Sequence, residues 1–156
     1  QLCELFWQNH GLAFTTLRLF NAYGPGQGAG YFIPDQIAKA KVGSWALQGS
    51  NVTKDWVFID DVADAFVKAV ESVFVGPINI GTGVETTLGS IARVIARTYG
   101  VSVDARAATN ASRMCGDWHR ANRVLEWSPK VSLAEGLHEL LGREAKGQPV
   151  LAQSSS

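Results

Sequence analysis

The chain has 156 residues, 46% of them hydrophobic and 18% charged, with 14 basic side chains against 14 acidic ones and a formal net charge of zero. That length is enough for one domain to bury most of its apolar surface without disulfide or metal support, and the composition excludes a disordered chain. The balanced charge, with no basic run, argues against a nucleic-acid footprint or a polybasic membrane patch, and no apolar run approaches the ~20 residues of a membrane-spanning helix.

The first residues, Gln1 to Gln8, carry Leu2, Leu5 and Phe6 at helical spacing with no cap ahead of them, so the chain is expected to begin inside a helix that Gly11 ends. A β-branched and aliphatic run, Phe14 to Phe20, predicts a buried strand that breaks into the turn residues Asn21, Tyr23, Gly24, Pro25 and Gly26. Pro34 fits the first turn of a helix whose face is Ile33, Ile37 and Ala38, and Gly43 stops it. Ser44 to Gln48 and Asp55 to Ile59 read as short strands. Asp60 or Asp61 is expected to cap the next helix, where Val62, Ala65, Phe66, Ala69, Val70 and Val73 form an apolar stripe that must face a core.

Pro77 to Ile80 predicts a strand ending at Gly81. Thr86 or Thr87 caps a helix with Leu88, Ile91, Ala92, Ile95 and Tyr99 on one face and Gly100 at its end. Val101 to Ala107 reads as a strand, Thr109 to Gly116 as a polar loop, and Asp117 to Leu125 as a helix. Ser132 with Glu135 makes a capping box for a last helix bearing Leu133, Leu137, Leu140 and Leu141. Residues 1–145 are expected to form the domain and residues 146–156, from Lys146 to three terminal serines, a flexible tail. Cys3 and Cys115 have no paired spacing and no secretory leader opens the chain, which together suggest free thiols in the cytoplasm.

Several of these stretches carry more than secondary structure. A strand that delivers Asn21 to its carboxyl end places an amide where open α/β sheets bind ligands, although a lone Asn also serves as a turn cap. The run Leu17-Arg18-Leu19-Phe20-Asn21-Ala22-Tyr23-Gly24-Pro25 resembles a segment of the extended short-chain dehydrogenases, the nucleotide-sugar epimerases and dehydratases. Lys54-Asp55-Trp56-Val57-Phe58-Ile59-Asp60-Asp61-Val62, then Asn79-Ile80-Gly81-Thr82-Gly83, then Leu125-Glu126-Trp127-Ser128-Pro129 with Leu133 to Leu137 resemble the same family in the same order. The resemblance therefore covers nearly the whole chain.

It implies an α/β fold: the substrate-binding portion of such an enzyme with the last strands and helices of its Rossmann sheet. It also implies site residues. Lys54 falls where the family carries an arginine that grips the substrate pyrophosphate, and Lys lacks the bidentate fork of Arg. Arg106 matches a second phosphate-facing arginine more loosely, since Ala107, Ala108, Thr109 and Asn110 follow it rather than Pro-Gly-Asp. Phe32 opens a helix whose free N–H groups favour an anion, though Phe32-Ile33-Pro34 fits a hydrophobic staple as well. Ala46 and Gln48 fall where the family lines the base, Asn21 where it holds substrate, and Phe20 near the nicotinamide. The implied ligand is a nucleotide diphosphate sugar, and the implied cofactor of the parent enzymes is NAD.

The chemistry of hydride transfer in that family needs a Gly-rich turn after the first strand and a Tyr-x-x-x-Lys pair. Tyr23, Tyr31 and Tyr99 are followed four residues on by Gln27, Asp35 and Val103, so none starts that motif. Gly81-Thr82-Gly83 has Thr86 at the third glycine position, and its glycines are expected to let a helix pack closely on the sheet. Cys115, Asp117 and His119 lack a completing cluster, so no metal is expected. The family places a glutamate four positions after its catalytic lysine, as Glu4 would be if that lysine lay just before Gln1. The expectation is a carboxyl-terminal half with no catalytic residue, which does not bind NAD tightly or turn over alone. Its missing strands would leave a sheet edge to be covered by self-association or by a separate amino-terminal Rossmann half. A free-standing binding or interaction module with the same fold is the alternative.

Overall fold

A computed structural model describes residues 2–145, so the expected tail at 146–156 lies outside the described residues. Along the chain come α1 (Leu2–His10), β1 (Thr15–Leu19), β2 (Asn21–Tyr23), α2 (Phe32–Val42), β3 (Trp45–Gln48), β4 (Thr53–Phe58) and α3 (Ile59–Glu71). After them come β5 (Gly76–Ile80), β6 (Glu85–Thr87), α4 (Leu88–Tyr99), β7 (Val103–Arg106), α5 (His119–Leu125) and α6 (Leu133–Ala145). The result is the expected α/β fold. β1 pairs with β5 and β3 with β7, both parallel, while β4 pairs parallel with β2 and antiparallel with β6. No helix among the described residues is long and apolar enough to cross a membrane.

Strand β4 organises the core because successive side chains of a strand point to opposite faces. Trp56 and Phe58 enter one cluster with Tyr23, Ile33, Ile37, Ile91, Ile95 and Leu137, closed by α2, α4 and α6. Val57, pointing the other way, enters a second cluster with Val62, Ala65, Ile78, Ile80 and Trp127, closed by α3 and α5. Two buried carboxylates tie loops to these clusters. The Asp61 carboxylate accepts the Lys130 and Val131 N–H groups, both at 3.0 Å, while its backbone carbonyl accepts the Trp127 indole N–H at 2.9 Å.

The helix signals at α4 and α6 are met by geometry. Thr87 Oγ1 accepts the Ser90 N–H at 3.2 Å, and Gly100 ends α4 in the left-handed region at φ 66°. Ser132 and Glu135 close a reciprocal box, with Ser132 N–H donating to Glu135 at 2.9 Å and Glu135 N–H donating back at 3.3 Å. Other expectations are corrected. α3 begins at Ile59 with Phe58 as its cap residue, so Asp60 and Asp61 sit inside its first turn rather than capping it. Of its apolar stripe, Val62 and Ala65 are buried, whereas Phe66 is 52% exposed and Val70 and Val73 are more exposed still. In α2 the buried face is Ile33, Gln36, Ile37 and Ala40, not Ala38, because the Gln36 amide oxygen accepts the Trp45 indole N–H at 2.9 Å and so can enter the core. The three-residue strand β6 was not expected, and α5 starts at His119 rather than Asp117.

Candidate functional site

At the carboxyl end of β1 the chain turns into β2 and then the Gly-rich segment before α2, and these walls enclose a cleft of about 720 Å³. Four of the residues singled out in the sequence line it: Phe20, Asn21, Phe32 and Lys54. Asn21 reaches the cleft because β2 pairs with β4 and sets it opposite Trp56. Its Nδ2 donates to the Asp55 carbonyl at 2.8 Å and lies 3.8 Å from Met114 Sδ. The amide is thereby fixed, and its own carbonyl oxygen is the group left to meet a ligand.

Lys54 shares a strand face with Trp56, both lining the cleft. Among the described residues no carboxylate lies within ion-pairing distance of its ammonium. Helix α2 opens onto the same cleft at Tyr31 and Phe32, and Tyr31 offers no side-chain cap to its first N–H groups. Trp56 packs against Phe32 with ring centroids 5.8 Å apart, and its indole N–H is buried with no acceptor among the described residues. The Gly24 turn passes so close to the Ile59 side chain that a Cβ there would overlap it.

Ala46, Gln48 and Arg106 lie elsewhere, exposed on one face of the β3–β7 ribbon, where Gln48 is the register partner of Arg106 and Ala46 that of Asp104. The Arg106 guanidinium pairs with Asp104 at 2.6 Å. The cleft and the ribbon are thus two separate groups of candidate residues.

Asp55 is the residue that sequence reasoning passed over. It is fully buried, and its carboxylate accepts four hydrogen bonds, from Thr82 N–H at 2.8 Å, Thr82 Oγ1 at 2.6 Å, Gly83 N–H at 2.9 Å and Gly116 N–H at 2.9 Å. The Thr82 and Gly83 amides of the Gly81-Thr82-Gly83 turn are therefore engaged by an internal anion and are not a cradle for an external phosphate. The glycines also serve a different purpose from helix packing. A Cβ on Gly81 would come within 2.8 Å of Asp55 Oδ2 and 3.1 Å of the Phe20 ring, and one on Gly116 within 2.9 Å of the same ring. Phe20 and Asp55 are clamped between the two glycine segments.

Tyr23 is 1% exposed, and burial, reinforced by Asp61, Glu135 and Glu139, pushes its phenol well above its ordinary value, so it stays protonated and structural. Asp117 and His119 pair with each other at 2.6 Å in full exposure, and hydrogen bonds from His119 lower the Asp117 carboxyl. For a dinucleotide, Phe20 offers a ring face, while the Gly81-Thr82-Gly83 turn after β5 has its Thr82 and Gly83 amides occupied by Asp55 and does not fit a pyrophosphate.

The chain is similar to known proteins over most of its length. The profile of the NAD dependent epimerase/dehydratase family matches residues 1–81. UDP-glucuronic acid decarboxylase 3 of Arabidopsis thaliana is 29% identical over 140 residues, covering 85% of this chain and 41% of that protein. UDP-glucose 4-epimerase of Mycolicibacterium smegmatis is 35% identical over 130 residues, covering 75% of this chain and 41% of that protein. Among solved structures, a UDP-glucose 4-epimerase with UDP-glucose from Thermotoga maritima superposes with a TM-score of 0.80 at 27% identity, over 92% of this chain and 50% of that one. A dTDP-glucose 4,6-dehydratase from Bacillus anthracis in complex with NAD gives 0.81 at 22% identity, over 93% and 49%. The chain spans about half the length of the proteins it matches.

Proposed function

This chain belongs to the NAD dependent epimerase/dehydratase family, and we propose that it is the nucleotide-sugar-binding portion of such an enzyme. The observation that carries the proposal is the convergence on one cleft of Asn21, Phe32 and Lys54, whose ammonium has no ion-pair partner among the described residues. A nucleotide diphosphate sugar needs a cation and free N–H groups for its phosphates, and a fixed amide for its sugar. Lys54 and the start of α2 supply the first, and Asn21 the second. The exposed ribbon face would take the base at Ala46 and Gln48. Arg106 would make a further phosphate contact by exchanging its Asp104 partner for the ligand. NAD supplies hydride acceptance and return in the family. This chain contributes at most the Phe20 ring to that site and no acid/base pair, so it is not catalytic alone.

Isothermal titration with UDP-glucose at low salt tests the assignment. Lys54→Ala is expected to weaken binding by about 1–3 kcal/mol, the range of a charged hydrogen bond, and Lys54→Arg to restore it. Equal affinity of wild type and Lys54→Ala, or no binding by the wild type, refutes the assignment. Turnover of UDP-glucose with NAD by the chain alone refutes the absence of catalysis.

A further inference from the structure

A groove of about 610 Å³ runs between α4 and α6 and shares no lining residue with the cleft. Ile91, Leu137 and Leu141, buried members of the first core cluster, form its floor, and Val94, 42% exposed, stands on its wall. Among the described residues no carboxylate, ammonium or guanidinium lines it. Two of its hydroxyls are already engaged, since Thr98 Oγ1 donates to the Val94 carbonyl at 3.1 Å and the Ser90 hydroxyl bonds that of Thr87 at 2.6 Å. An occupant of this groove is therefore apolar and uncharged. We infer that the groove is the docking site of the segment that follows α6, with Val150 and Leu151 seated on Ile91, Val94, Leu137 and Leu141.

The two helices run side by side in the same direction. At their starts Thr86 and Leu133 line both the groove and a smaller hollow next to it. At their ends Lys41 ion-pairs with Glu144 and also lies close enough to Tyr99 for its charge to act on the phenol. That ion pair pins the last turn of α6, so the chain leaves the helix from a fixed point at the end of the groove. Gly142 borders that end, and a Cβ built on it would meet nothing within 4 Å, so the way back along the helix is open.

The sequence after α6 has the chemistry and the reach for this. Lys146-Gly147-Gln148 leads into Pro149-Val150-Leu151-Ala152, an apolar run without charge. Glycine is the residue that reverses a chain at a helix end, and proline favours the extended backbone needed to lie along a groove. From Leu133 to Gly142 the groove follows about 14 Å of helix. The steps from Lys146 to Leu151 reach about 17 Å when extended, so the run can cover it. Tethering favours this occupant over a free one, because a short linker holds the run at an effective concentration on the order of millimolar. The inference rests on the groove and the run, not on the ligand assignment, and neither Val150 nor Leu151 belongs to the proposed UDP-glucose site.

The test is NMR of the full chain with labelled Val and Leu methyl groups, combined with thermal melting. Nuclear Overhauser contacts from the Val150 and Leu151 methyls to those of Val94 and Leu141 are expected, and they should persist when labelled chain is diluted tenfold with unlabelled chain. Val150→Asp with Leu151→Asp should erase them and lower the melting temperature by about 2–8 °C, because two charges cannot follow the apolar side chains into the groove. Ser154→Asp with Ser155→Asp, beyond the apolar run, should leave contacts and melting as they are. A free tail, with no contact between the run and the groove, overturns the inference. So does unchanged melting of the Val150 and Leu151 variant, or an equal drop in the serine variant. Contacts that arise only between labelled and unlabelled copies overturn it as well, since the occupant would then be a second chain.

Discussion

Replacing Asp55 by Asn keeps the shape of the most connected buried side chain and removes its charge. Oδ1 accepts two donors from Thr82, and Oδ2 accepts the N–H groups of Gly83 and Gly116. An amide must point its NH2 at one of these pairs. Toward Oδ2 it would face two backbone N–H groups, neither of which can reverse. Toward Oδ1 it meets one N–H and one hydroxyl, and the hydroxyl can rotate to accept. The second orientation is therefore favoured, leaving Thr82 N–H without its acceptor and weakening the other bonds by the loss of charge. One orphaned donor costs about 1–3 kcal/mol, and the lost charge assistance adds roughly 1 kcal/mol more, for an expected loss of about 2–4 kcal/mol. In a domain of this size that lowers the melting temperature by about 4–16 °C. Thermal melting followed by circular dichroism measures it, and amide exchange should show faster opening at Thr82, Gly83 and Gly116. A loss under about 1 kcal/mol with those amides still protected would refute the argument that the carboxylate holds the two glycine segments.

Three further outcomes follow from burial and hydrogen bonding. Phe66→Ala should cost no more than about 1 kcal/mol, since the side chain is half in solvent, whereas Ile78→Ala, at a fully buried position, should cost about 2–5 kcal/mol; urea midpoints that reverse this order would show that the α3 face is misassigned. Asn21→Ala removes one side-chain bond to the Asp55 carbonyl and should lower stability by about 1 kcal/mol while weakening UDP-glucose binding, both read from one set of melts with and without ligand. Glu135 has its carboxyl held below its ordinary value of 4.5 by hydrogen bonds from Ser132. A folded-state value below the unfolded one gives stability that is present above the unfolded value and is lost as pH falls through the folded one, so Glu135→Gln should flatten the acid limb below about pH 5 in a pH series of melts.

Helices α4 and α6 were legible because their signals are local: a capping Thr or Ser, an acceptor three residues on, and a Gly that takes the left-handed region all act within one turn. The face of α3 was not legible in the same sense. A helical period identifies an apolar stripe but not its cover, and here only Val62, Ala65 and Ala69 of the stripe meet the second core cluster. Strands β2 and β6 are three residues each and draw their existence from pairing with β4, a long-range fact with no local pattern. For the cleft, Asn21 stood out because it sits at a strand boundary, and Lys54 because it falls where the resembled family carries an arginine. Met114, which lies against Asn21, comes from a loop far along the chain, and only the fold brings it there.

The same limit explains why Lys54 was found and Asp55 was not, and the pair shows how the strand turns a neutral dipeptide into a polarised wall. Alternation along β4 sends the Asp55 carboxylate inward, where three backbone amides and a hydroxyl consume it, and sends the Lys54 ammonium toward the cleft, where no carboxylate answers it. A carboxylate on the cleft side would have neutralised the cation, and a lysine on the inner side would have faced donors with a donor. The glycine turn after β5 is excluded as an anion site for the same reason that Lys54 qualifies as one: Asp55 already occupies its amides. Of the two walls that flank Asp55, the proposed anion site is therefore the Lys54 side of β4 with the start of α2, and not the glycine turn after β5.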